Sequence, residues 1–234
     1  TNKEFYDKMR EKHKVGTMAS NPAVIDEMFT NIANEGKDIL HISFSSALSG
    51  GCGNVQVVSN QIMEANPEMK IIVVDTLAAS LGEAILIQKA LDLKAQGKTI
   101  EETADIINEL VPHLITLFTV DDLDYLYRGG RLSKTTAIVG SLVNIKPILR
   151  INEEGKLVAY SKVRGRNKSI QTLASMMEDY LGSYREKQLQ IGIMHGDCEE
   201  DARALQKIIQ DKYGYTDFFI EPIGPSIGAH SGPG

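Results

Sequence analysis

The chain has 234 residues, 42% of them hydrophobic, enough for one large domain or two modest ones with a sizeable core. Its 25 lysines and arginines against 31 acidic residues give a formal charge of -6, which removes any global electrostatic ground for a nucleic-acid partner and leaves only local patches to consider. Only two cysteines, Cys52 and Cys198, are present. They exclude a disulfide-dense scaffold and a thiolate metal cage, so no metal is expected and a reducing cytoplasm is the expected compartment.

"TNKEFYDKMR" opens the chain with Thr1 as the expected cap of a helix carrying Phe5 and Met9, and with no apolar segment of the kind a signal peptide needs. It has no initiating methionine, and the chain stops on "GPG", so both ends are expected to be cut back. Next, "SNPAVIDEMFTNIANEG" has Asn21 and Pro22 as cap and first-turn residues and places Val24, Ile25, Met28, Phe29 and Ile32 on one face, closing at Gly36. "DILHISFS" reads as a strand, followed by a glycine-rich turn and a helix around Val57 to Met63. "KIIVVDT" is a β-branched run suited to a strand buried on both faces of a parallel sheet. Two covering helices follow, one over Leu81 to Gln96 and one capped by Thr99 with Ile100, Ala104, Ile107 and Val111 on a stripe.

From about Leu114 the pattern changes. "LITLFTV" reads as a strand, "DDLDYLYRGGRLSKTTAIVGSLV" as short helices broken at Gly129-Gly130, and "KPILRINEEGKLVAYSKVRG" as two strands joined at "NEEG". A helix with Ile170, Leu173, Met177 and Leu181, the strand "QLQIGIMHG", a helix and the strand "DFFIEPIG" complete the chain. The expected fold class is α/β in two domains. Residues 1–114 form an α/β layer with a mostly parallel sheet whose first strand is missing, and residues 115–234 an α+β domain with antiparallel content.

Several stretches carry candidate chemistry. Ser45, Ser46, Ser49 and Gly50, with Gly51 and Gly53 behind them, gather hydroxyls and helix-start amides at the end of a strand. That suits an anion, although a serine cap with a flexible turn reads equally well. The stretch is neither a Walker A loop nor a nucleophile elbow, since Ala47 stands where the elbow needs glycine. "GPSIGAHSGPG" is expected to be a rigid loop that exposes amides and presents His230, unless that histidine is incidental. Thr17 precedes a helix, where a threonine usually caps. Together Thr17, Ser49 and His230 could grip a carboxylate. Arg128, Arg131, Lys134, Lys162, Arg164, Arg166 and Lys168 form a local positive face, either solvated or suited to a phosphate-handling partner or an anionic membrane surface. His41 reads as a core or rim histidine, and Asp121, Asp122 and Asp124 as helix-cap charges. His195 and Asp197 could touch a ligand at a strand end. Asp75 stands where a dinucleotide fold has its acidic residue, but the glycine fingerprint is absent.

"TMAS", "SSALSGGC", "GGRLS", "NIKPIL", "VRGR" and "GPSIGAHSGPG" together resemble the motifs of the DegV family of bacterial lipid-binding proteins, over nearly the whole chain. The resemblance implies a two-domain α/β protein with a fatty acid buried between its domains and no cofactor. It implies a carboxylate held by Thr17, by Ser49 with the Gly50 amide, and by His230. It further implies a carrier, not an enzyme, that presents the fatty acid to a separate fatty acid kinase for phospholipid synthesis. The local positive face, with Arg128, Arg131, Arg164 and Arg166, is the expected docking surface for such a partner. The chain departs from the family pattern at Met18 and Ser20, where serine and proline are usual, and at Gly51 and Cys52, which replace threonine and tyrosine. The competing expectation is a hydrolase of acyl or phosphoryl esters with Ser49 as nucleophile and His230 as base. A nucleic-acid-binding regulator using "VRGRNK" is disfavoured by the net charge.

Overall fold

The computed structural model of the chain describes residues 1–132, 144–187 and 189–234. Ser133 and Lys134, and the run expected to be helical beyond them, lie outside the described residues. In chain order the elements are α1 (Asn2–Arg10), α2 (Pro22–Asn34), β1 (Ile39–Ser43), α3 (Gly51–Ala65), β2 (Ile71–Asp75), α4 (Leu81–Ala95), α5 (Ile100–Leu110), β3 (Leu117–Phe118), α6 (Asp124–Arg128), β4 (Ile145–Ile151), β5 (Leu157–Arg164), α7 (Arg166–Leu181), β6 (Ile191–His195), α8 (Glu199–Tyr213), β7 (Phe218–Pro222) and α9 (Pro225–Ser231). They form two compact units. One contains Met18–Leu114 with Asn152–Lys156, the other Thr1–Thr17, Ile115–Ile151 and Leu157–Gly234.

In the first of these units β1 and β2 pair in parallel, from Ile39 opposite Ile71 to Ser43 opposite Asp75. Alternation along the strands sends Ile39, Ile71 and Val73 to one face, where Ile25 and Phe29 of α2 and Val55, Val58 and Ile62 of α3 cover them. Leu40, Ile42, Ile72 and Val74 meet Leu86, Ala90 and Leu93 of α4 and Ala104 and Ile107 of α5 on the other. Each of the larger of these side chains, valine, leucine, isoleucine or phenylalanine, contributes about 1.5–3 kcal/mol when taken fully out of water. The stripe expected on α2 is narrower than its sequence suggested: Val24 is 52% and Met28 58% exposed. Both lie about 100° around the helix from the Ile25–Phe29 line that meets the sheet. A capping box holds α5, with the Thr99 hydroxyl accepting from Glu102 N–H and the Glu102 carboxylate accepting from Thr99 N–H.

The other unit carries the antiparallel sheet β3-β4-β5 and a parallel pair β6-β7. The strand expected over "LITLFTV" shrinks to the two residues of β3. Its neighbour β4 contains Pro147, which has no N–H to continue the ladder, and the Thr119 hydroxyl instead donates to the Pro147 carbonyl at 2.7 Å. Ala174 and Leu181 of α7 pack with Ala202 and Ile209 of α8, Ile193 of β6 and Tyr215.

Residues 1–17 join this unit although they precede the other one in the chain. The Thr1–Glu4 capping box starts α1, and Tyr6 and Met9 are wholly buried. The Tyr6 hydroxyl donates to the Ile223 carbonyl at 2.9 Å, and burial pushes its pKa up to about 12. The hairpin tip likewise belongs with Met18–Leu114, where the Ser45 hydroxyl donates to the Gly155 carbonyl at 2.9 Å. Gly155 turns the chain at φ +74°, a conformation that favours glycine.

Candidate functional site

The segment expected to be a glycine-rich loop at the C-terminus is a helix. Pro225 supplies the first turn of α9, and the chain leaves the helix at Gly232 with φ +76°. Gly228 is buried against α1, where an added Cβ would fall 2.6 Å from the Tyr6 hydroxyl and 2.9 Å from the Phe5 ring. That close approach, which only glycine permits, seats the helix bearing His230.

His230 Nε2 lies 2.7 Å from Thr17 Oγ1. Thr17 therefore bonds to His230, while Asn21 caps α2 as its sequence suggests, its side-chain oxygen accepting from Ala23 N–H at 3.0 Å. Thr17 is exposed and His230 half-buried, so the pair has one solvent-facing and one sheltered member. Burial, helped by the nearby charge of Arg131, lowers the pKa of His230 and favours a neutral imidazole. Its Nδ1 is buried without a hydrogen-bond partner among the described residues. Gly129, which the sequence marks as a helix break and as the first letter of "GGRLS" but to which it gives no ligand role, lies against the same ring: an added Cβ would fall 3.1 Å from Cε1, 3.2 Å from Cγ and closer still to Nδ1.

The hydroxyl stretch, in the other unit, divides by role. Ser45 is wholly buried and bonded to the hairpin tip. Ser46 N–H donates to Asp75 Oδ1 at 3.1 Å, and Leu77 N–H to the same oxygen, so Asp75 shapes the strand-end loop and does not stand free as a ribose ligand would. Ser49 is half-buried, and its Oγ accepts from Gly51 N–H at 3.2 Å. Gly50 is the residue preceding α3 and makes no side-chain cap bond, so the helix start keeps first-turn amides that have no intrahelical partner. Ser49 and Gly50 thus stand together at a helix start, and Thr17 and His230 stand together in the other unit.

The positive face is less uniform than expected. Arg164 on β5 is exposed, and Arg128 is exposed with its guanidinium 4.7 Å over the Tyr125 ring. Arg131 donates through Nη1 to the Gly129 carbonyl at 2.5 Å. Arg166 is not available in the same way. Its Nε donates to Asp201 at 2.7 Å, and Nη1 lies 3.6 Å from Asp121 and Nη2 3.5 Å from the Cys198 sulfur. Burial is the largest single influence and disfavours its charge, but the bond to Asp201 together with the charges of Cys198, Asp201 and Asp121 outweighs it, and the pKa of the guanidinium is raised. Arg166 therefore ties the start of α7 to α8. Asp121 pairs with Lys146 at 2.6 Å and is no cap; nor is Asp122, which accepts from Asp124 N–H at 2.8 Å but stands one residue outside the N-cap position, held by Leu123 without a side-chain bond.

The remaining candidates are structural. His195 Nδ1 accepts from Cys198 N–H, and Asp197 accepts from Arg10 at 2.5 Å. Burial pushes the Cys198 thiol up, away from thiolate reactivity. His41 is half-buried beside Phe29 with its pKa lowered by burial, in keeping with a core-rim position. Among the described residues no group of three or more His, Cys, Asp or Glu could hold a metal ion, and no helix is long and apolar enough to cross a membrane.

Comparison with known proteins places this geometry in a family. The model described as "Uncharacterised protein, DegV family" matches residues 1–234. A DegV domain-containing protein of Clostridium perfringens is 40% identical over 234 residues, covering 100% of this chain and 80% of the relative. Among solved structures, the fatty acid binding DegV family protein of Streptococcus agalactiae superimposes with a TM-score of 0.88 at 29% identity, over 100% of this chain and 81% of that one. A Thermotoga maritima protein whose structure reveals fatty acid binding function gives a TM-score of 0.82 at 28% identity, over 99% and 79%. The α/β architecture, with parallel pairs and one antiparallel three-stranded sheet, is the one these structures share, and the chain belongs to the DegV family.

Proposed function

We propose that the chain is a fatty-acid carrier that binds a long-chain fatty acid by its carboxylate through Thr17, Ser49, the Gly50 amide and His230, and presents it to a separate fatty acid kinase. The observation that carries this reading is the 2.7 Å bond between Thr17 and His230, two neutral hydrogen-bonding groups 213 residues apart in sequence. The fatty acid binding of the Streptococcus agalactiae and Thermotoga maritima relatives supplies the ligand class.

The chemistry is consistent. Each methylene withdrawn from water contributes about 0.8 kcal/mol, so a long acyl chain provides affinity and the head group provides selectivity. A carboxylate withdrawn from water needs its lone pairs satisfied, and hydroxyl and amide donors, with the Thr17 hydroxyl held by the neutral His230 imidazole, do this without burying a second full charge. A carboxylate arriving beside His230 would raise its depressed pKa. For the ester-hydrolase alternative, the described partner of Ser49 Oγ is the Gly51 amide, not a base.

Calorimetric titration with stearic acid tests the reading. Saturable binding at one site, weakened on the order of 10-fold by Thr17→Val or by Ser49→Ala, is the expected result. Equal affinity in both variants and the wild type would remove these residues from the site, and the absence of binding to the wild type would remove the carrier function.

A further inference from the structure

Gly129 follows α6 with φ -72° and ψ -11°, backbone angles that any residue adopts. Its conformation therefore gives no reason for a glycine. The reason is spatial: an added Cβ would fall inside van der Waals contact of His230 Nδ1, Cγ and Cε1 together. Nor can Gly129 retreat easily, because its N–H donates to the Tyr125 carbonyl at 3.0 Å and its own carbonyl accepts from Arg131 at 2.5 Å. The other end of the contact is equally held. Gly232, at the end of α9, packs so closely on the Tyr125 ring that an added Cβ would lie 2.7 Å from its Cε2, and the Tyr125 hydroxyl donates to the Met9 carbonyl at 3.2 Å.

We propose that Gly129 is a positioning residue whose missing side chain forms the seat for the Nδ1 edge of His230, fixing the ring as the Nε2–H tautomer that donates to Thr17 and leaves the Thr17 hydroxyl hydrogen free for a ligand. The tautomer follows from satisfaction of polar groups. Nδ1 is buried with no partner among the described residues, and an orphaned buried N–H is costlier and rarer than an orphaned acceptor. Nδ1 therefore carries the lone pair and Nε2 the proton. With the Thr17 oxygen accepting from Nε2–H, its own hydrogen turns outward, so the group bound there must be an acceptor such as a carboxylate oxygen. The ligand part of this inference rests on the carrier reading; the seat and the tautomer do not.

The test combines imidazole 15N NMR of the ligand-free protein at neutral pH with a cycle of Gly129→Ala, His230→Ala and the double variant. The wild type is expected to show a protonated Nε2 and an unprotonated Nδ1 for His230. Gly129→Ala is expected to lower the melting temperature and to weaken stearic acid binding on the order of 10-fold, while in the His230→Ala background the added methyl, now facing vacated space, changes neither quantity. Gly224→Ala, where an added Cβ meets nothing within 4 Å, serves as the neutral control. An Nδ1–H tautomer in the wild type, wild-type behaviour of Gly129→Ala, or a loss of equal size in both backgrounds would each overturn the proposal. Should the wild type bind no fatty acid, the carrier reading falls, and the NMR and melting-temperature cycle still decide the seat.

Discussion

At the scale of single residues, the molecule uses neutral groups where a charged one would be costly. His230 and His41 both have pKa values lowered from 6.5, first by burial. The linkage sign follows. The unfolded chain takes up protons at these histidines before the folded one does, so their contribution is complete above pH 6.5 and is lost as pH falls below it. Urea midpoints are expected to fall between about pH 7.5 and about pH 5.5, and His230→Gln should reduce that fall. Glu83, whose carboxyl is pushed up by burial, acts with the opposite sign lower in the range, so the variant comparison and not the raw slope is the diagnostic. A slope unchanged by His230→Gln would contradict the neutral imidazole. Arg166 makes the same point from the other direction. Its charge is retained beside Asp201 and Asp121, and Arg166→Ala is expected to cost about 1 kcal/mol, read from chemical denaturation, by removing the partner of Asp201; Asp121 keeps Lys146, and solvent reaches both carboxylates and screens the loss.

At the scale of elements, closeness of approach decides as much as hydrophobic periodicity. Gly228→Ala in α9 should destabilise by about 1–3 kcal/mol, because the methyl would strike Tyr6 and Phe5 of α1; a urea midpoint equal to wild type would show that α9 can shift freely. Thr99→Ala should cost about 1 kcal/mol by opening the α5 capping box, in the same assay. Caps of this kind are legible in the letters, since Thr1 with Glu4, Thr99 with Glu102 and Asn21 with Pro22 all act over a few residues. The parallel β1-β2 pair and the β4-β5 hairpin were legible too, from β-branched runs and from "NEEG". The helical state of "GPSIGAHSGPG" was not. Its glycines signal a loop locally, and only contacts with Tyr6, Gly129 and Tyr125, distant in sequence, make a helix the better packing. Thr17 and His230 were grouped in the sequence as parts of one possible carboxylate grip, but the bond between them was not legible, because no local rule joins residues so far apart.

At the scale of the whole molecule, the chain passes from one compact unit to the other and back. Tyr6 and Met9 draw the N-terminal helix away from the unit that follows it, and the Ser45–Gly155 bond draws the hairpin tip to the other. Local patterning reveals where composition changes, near residue 114, but not such returns. The proposed kinase contact belongs at this scale. Arg164→Glu should slow phosphorylation of a bound fatty acid by the kinase, more at low salt than at high, with fatty-acid affinity unchanged. An unaltered rate would move the docking face elsewhere. The central claim, that the chain carries a fatty acid, is tested most directly by mass spectrometry of the purified protein, native and then denatured with organic extraction. The account predicts a non-covalent adduct of one fatty acid that is released on denaturation. A native mass equal to that of the chain alone, unchanged after incubation with saturated and unsaturated fatty acids, would contradict it.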